Sequence, residues 1–65
     1  MEIQINGEPR TIEPMSLLEL LGTLDITPAR VAVERNRDIV SKQEYETTLL
    51  AEGDVIEIVQ FVGGG

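Results

Sequence analysis

Cysteine and histidine are both absent from the 65-residue sequence, and the two absences remove most of the usual side-chain chemistry. Without cysteine there is no disulfide, no thiolate metal site and no sulfur nucleophile. Without histidine the commonest general base and the commonest metal ligand are missing too. Only two serines occur, Ser16 and Ser41, and each stands where a helix cap is expected. Basic residues are few, 5 against 12 acidic ones, for a net charge of −7. A nucleic-acid surface needs a basic stripe, so phosphate-backbone binding is not expected. Anionic membrane surfaces are unfavourable for the same reason. The acidic balance fits general solubility, and it equally fits steering towards partners with basic patches. No run approaches the ~20 apolar residues of a membrane span. The opening "MEIQINGEPR" lacks the basic region and apolar run of a secretory signal, so the expected location is cytoplasmic. A chain this short has room for one small domain with a modest core; independent catalysis is not expected of it.

What is present reads as alternating strands around one helix. In "MEIQING", Ile3 and Ile5 fall on one face and Glu2, Gln4 and Asn6 on the other, a period-two strand. Asn6-Gly7 is a tight-turn dipeptide that returns the chain as a short strand around Thr11 and Ile12, with Pro9 at its entrance and Pro14 closing it. Ser16 with Glu19 three residues on forms a capping box. Leu17, Leu20, Leu21 and Leu24 then recur at helical spacing, with Leu18 flanking the stripe. Gly22 either weakens this helix or lets a strand pass close by. Residues 23–28 form the exit loop. "RVAVER" is a third strand with Val31 and Val33 on one face, Asn36-Arg37 a turn, and "DIV" a short fourth strand. Ser41 and Glu44 repeat the capping pattern for about one helical turn. After the Gly53-Asp54 turn, "VIEIVQFV" is the longest strand, rich in β-branched residues. It is apolar on both faces, Ile56, Ile58 and Val62 against Val55, Val59 and Phe61. That pattern predicts a central strand covered on both sides and paired in parallel. The economical packing is one mixed sheet with the leucine stripe laid across it, an α+β fold.

Few reactive groups remain. Glu13 with Glu19, or Glu44 with Glu46, make nominal carboxylate pairs, but acid–base work requires an environment that separates their pKa values, and spaced acids are expected in so acidic a chain. Lys42 and Tyr45 read as solvated or packing residues. No metal site is expected. The sequence closes on "FVGGG", and the terminal carboxyl is then the group left for chemistry. A carboxylate is inert as an electrophile until an ATP-using partner adenylates it, after which AMP leaves and a sulfur or nitrogen nucleophile attacks the acyl carbon. A channel too narrow for Cβ atoms would admit Gly63, Gly64 and Gly65 and accept any backbone angle they adopt. Three extended residues reach about 10 Å. Ordering each costs roughly 1–2 kcal/mol, which an apolar anchor at Phe61 and Val62 would offset. The other reading makes Phe61 a core residue and the glycines a fraying end or a cloning remnant. The chain thus divides into a domain, residues 1–62, and a flexible glycine tail, residues 63–65.

The length, the "MEIQINGE" hairpin, the "SLLELL" helix and, most specifically, "VAVERNRDIVSKQEY" followed by "LAEGDVIEIVQFVGGG" resemble the ThiS family of sulfur carriers of thiamine (thiazole) biosynthesis. The resemblance covers the whole chain. It implies a ubiquitin-like β-grasp fold, a four- to five-stranded mixed sheet packed on one main helix. It implies a carrier and not an enzyme, with no cofactor of its own. An E1-like adenylyltransferase (ThiF) would use ATP and magnesium to form an acyl-adenylate on Gly65. A sulfur donor such as a cysteine desulfurase would convert it to a thiocarboxylate, and thiazole synthase (ThiG) would take up the sulfur. Gly64 and Gly65 match the family's diglycine and Gly63 extends it; Phe61, Val62, Gly63 and Gly64 become the docking tail. Three alternatives stay open. A carrier of the molybdopterin-synthase small-subunit type uses the same chemistry. A protein modifier of the ubiquitin type would attach Gly65 to lysines. A non-reactive β-grasp binding module would have no use for the tail.

Overall fold

The alternation in "EIQI" becomes strand β1 (Glu2–Ile5), with Ile3 and Ile5 buried and Glu2 and Gln4 exposed. The computed structural model describes residues 1–61; the expected tail, and with it the position of Val62, lies outside the described residues. Asn6 and Gly7 both take positive φ, 50° and 83°, as a two-residue hairpin turn of the I′ kind requires. Strand β2 (Glu8–Thr11) returns antiparallel, pairing Ile5 with Glu8 and Glu2 with Thr11. It starts earlier than the sequence suggests and ends before Ile12, so Pro9 lies within it. The position is tolerated because β2 is a sheet edge, where a residue without N–H need not break a ladder.

Helix α1 (Leu17–Thr23) begins on the expected capping box. Glu19 N donates to Ser16 Oγ at 3.1 Å, and Ser16 N donates to Glu19 Oε1 at 3.0 Å. Leu17, Leu20 and Leu21 are buried and Leu24 half-buried, as the stripe predicts. Gly22 is exposed and a Cβ there would meet nothing within 4 Å; no strand passes close to it, and its only effect is on helix propensity. The loop that follows ends in a 3-10 turn at Pro28–Arg30.

Strands β3 (Val31–Arg35) and β4 (Asp38–Val40) form a second hairpin over Asn36 and Arg37, again with positive φ at both. A 3-10 turn follows at Lys42–Glu44. Its capping differs from the expectation: the Ser41 hydroxyl donates to Glu44 Oε1 at 3.0 Å and makes no bond to the turn's backbone. Strand β5 (Val55–Gln60) completes a five-stranded sheet in the order β2-β1-β5-β3-β4. It is central, parallel to β1 and antiparallel to β3.

One expectation for β5 fails. Ile56 and Ile58 are buried, but Val59 on the other face is 59% exposed and Val55 and Phe61 are exposed as well. The strand is covered on one side because a single two-turn helix can shield only one face of the sheet. On that side Leu17, Leu20 and Leu21 share one core cluster with Ile3, Ile5, Val31, Val33, Ile56 and Ile58, closed by Tyr45 and Leu50. Each such aliphatic side chain contributes about 1.5–3 kcal/mol relative to exposure. Among the described residues no helix is long and apolar enough to cross a membrane.

Candidate functional site at the end of β5

The β-branched run that makes β5 carries its pairing to the last residue of the strand, where Gln60 lies opposite Val31. Phe61 extends that ladder by one bond, its N–H donating to Arg30 O at 2.9 Å. Its ring is 59% exposed. Of the two readings of Phe61, the core residue is therefore the wrong one: the backbone is held at the sheet while the side chain faces water.

The ring is not without a neighbour. Lys42 Nζ stands 5.3 Å from its centre, inside the range where an ammonium is attracted to an aromatic face. The same nitrogen donates to Val31 O at 2.9 Å and lies 6.0 Å from the Tyr45 ring. Tyr45 is buried in the core cluster. Burial pushes its hydroxyl's pKa up, against a smaller opposing effect of a hydrogen bond at the Val33 backbone. Sequence reasoning read Lys42 as solvated or packing and missed its place beside Phe61. The two residues are far apart in the chain; the β3–β5 register sets Phe61 beside Arg30, and the β3–β4 hairpin brings Lys42 back to Val31.

The far end of β5 is fixed by a buried carboxylate. Asp54 Oδ2 accepts from Ala51 N at 2.8 Å and from Arg35 Nε at 2.9 Å, and Oδ1 accepts from Asn36 Nδ2 at 3.1 Å. Burial alone would raise the Asp54 pKa. The hydrogen bonds from Ala51, Asn36 and Arg35, with the Arg35 charge, together outweigh it and hold the carboxyl below its ordinary value.

Neither nominal carboxylate pair acquires the surroundings of an acid–base couple. Glu19 is engaged in the helix cap and Glu44 accepts from Ser41, while Glu13 and Glu46 are exposed. Among the described residues no group of three or more acidic side chains is placed to hold a metal ion. Of the expected docking residues, the structure places Phe61 at the root of the chain end. Val62, Gly63, Gly64 and Gly65, the reacting glycine included, lie outside the described residues.

The model of the ThiS family matches residues 3–65. A thiazole synthase from Magnetococcus marinus contains a segment 48% identical over 66 residues, covering 100% of this chain and 20% of that protein; the chain spans about a fifth of that relative's length. The sulfur carrier protein ThiS of Bacillus subtilis is 44% identical over 50 residues, 77% of this chain and 76% of that protein. The crystal structure of a thiamine biosynthesis protein (ThiS) from Geobacter metallireducens superposes with a TM-score of 0.85 at 33% identity, covering 100% of both chains.

Proposed function

This chain belongs to the ThiS family, and from that premise we propose that it is a sulfur carrier of thiamine biosynthesis that holds sulfur as a thiocarboxylate on Gly65. The five-stranded sheet on one helix is the ubiquitin-like β-grasp fold of that family. Such a chain is a co-substrate on which other enzymes act, and it needs no catalytic side chains of its own.

The chemistry is carried by the carboxyl of Gly65. An E1-like adenylyltransferase of the ThiF type, with ATP and magnesium in its own site, joins the carboxylate oxygen to the α-phosphorus and releases pyrophosphate. A persulfide sulfur, supplied by a cysteine desulfurase or a protein it loads, then attacks the acyl carbon and AMP leaves. A second thiol cleaves the sulfur–sulfur bond, which leaves the thiocarboxylate on Gly65 and a disulfide on the donor. The absence of cysteine from the carrier suits this sequence of steps, since no side-chain thiol competes for the activated acyl group. Phe61 and Val62 anchor the tail at the partner and Gly63 and Gly64 thread its channel.

A ThiG-type thiazole synthase is the recipient in this reading. Support comes from the synthase that contains a segment matching the full chain. The adenylyltransferase and the desulfurase rest on family membership alone, and a partner that consumes ATP implies the cytoplasm. The family match also favours the thiazole branch over a molybdopterin-type carrier and over a binding module without a reactive end.

The single observation that carries the proposal is the family match running through the final glycine. Intact mass after incubation with a ThiF-type enzyme, ATP, magnesium and a sulfur donor tests it. The expected result is a gain equal to one oxygen replaced by sulfur; an unchanged mass contradicts it.

A further inference from the structure

Lys42 is the chain's only lysine, and three contacts fix its ammonium. Two of its partners, Val31 O at 2.9 Å and the Tyr45 ring at 6.0 Å, belong to residues buried in the core. The third is the exposed ring of Phe61 at 5.3 Å. The carbonyl next to that of Val31, Arg30 O, takes the Phe61 N–H. Where the 3-10 turn meets β3, adjacent carbonyls thus take one bond each, Arg30 O from the Phe61 backbone and Val31 O from the Lys42 ammonium, and that ammonium faces the Phe61 ring. Strand ends fray unless something ties them down, and here the tie falls on Phe61, directly after the end of β5.

We propose that Lys42 is a positioning residue for transfer at Gly65. By pinning Phe61 it makes the last four residues start from one fixed point on the sheet when an adenylating partner takes them up. This rests on the carrier reading given above. Fixing the starting point in advance lowers the ordering cost of association. It therefore acts on affinity for the partner and leaves the chemical step, which happens at the far end of the tail, alone.

The test measures pyrophosphate release by a ThiF-type enzyme at varied carrier concentration. Lys42→Gln keeps a hydrogen-bond donor and removes the charge. It is expected to raise KM about 2- to 5-fold, the range of an exposed cation–π contact, with kcat unchanged, and Lys42→Arg is expected to restore the wild-type value. In a Phe61→Leu background, Lys42→Gln is expected to change nothing further, because the pair acts as one unit. An unchanged KM for Lys42→Gln, or the same increment in both backgrounds, overturns the proposal. A second measurement needs no turnover: the Lys42 Hε protons, shielded by the aromatic rings, are expected to move downfield in Phe61→Leu. Resonances that stay put overturn the proposal even in a fully active carrier. A wild-type chain that shows the shielding yet is never adenylated overturns the carrier reading instead, and the positioning role falls with it.

Discussion

Asn6 and Asn36 each serve two ends. Both sit at positive φ in a hairpin turn, and both send their side-chain amides to the start or middle of the central strand. Asn6 Oδ1 accepts from Ile58 N at 2.7 Å and Nδ2 donates to Ile58 O at 3.3 Å, so the side chain pairs with β5 much as another peptide group would. Asn36 Oδ1 accepts from Val55 N at 2.9 Å. Replacing Asn6 with glycine keeps the turn's backbone angles and removes both amide bonds. Urea unfolding of Asn6→Gly is expected to show a loss of about 1–3 kcal/mol, the cost of leaving a part-buried donor and acceptor unpaired; stability equal to wild type would show that the turn was its only role. The turn was legible in the Asn-Gly dipeptide. The pairing was not, since Ile58 lies 52 residues away and nothing in the local pattern points to it. The same holds for Asp54, read from sequence as a turn residue. Its folded pKa is lowered, so its contribution to stability is fully present above the ordinary value of 3.8 and is lost as pH falls through the lower folded value. Asp54→Asn is expected to be less stable than wild type at pH 7, with the gap closing as pH drops below that ordinary value. A gap that stays constant in acid would mean the carboxylate's charge does not matter.

At the scale of the element, β5 shows what a hydrophobic pattern can and cannot fix. Its β-branched run correctly marked a central strand paired in parallel with β1. The same run suggested cover on both faces, and that failed: the chain supplies one helix, with its apolar stripe on one side only, and leaves Val55 and Val59 in water. The two faces should therefore respond differently to change. Thermal or urea unfolding is expected to show a loss of about 2–5 kcal/mol for Ile58→Ala, which empties a core position. Val59→Thr on the open face is expected to change stability by no more than about 0.5 kcal/mol. Comparable losses at both positions would mean that the outer face is covered after all. Helix α1 was legible almost to the residue because its capping box and leucine spacing are local signals, needing no partner to interpret.

For the molecule as a whole, the order of elements and the mixed sheet followed from the sequence, as did the placement of the helix on it. What the linear pattern could not supply was which side chains meet at the end of β5, since the Lys42–Phe61 contact depends on the register between β3 and β5. The arrangement separates two tasks. Residues 1–61 contain a core of eleven buried hydrophobic residues, with two tight hairpins and the buried Asp54. The proposed reaction is assigned to Gly65, which lies outside the described residues. Fragmentation mass spectrometry of the sulfur-loaded chain tests this division most directly. Sulfur is expected on the fragment ending at Gly65, and a chain lacking Gly65 is expected to fold normally but take up none. Sulfur on any fragment within residues 1–61, or loading that survives removal of Gly65, would contradict that division.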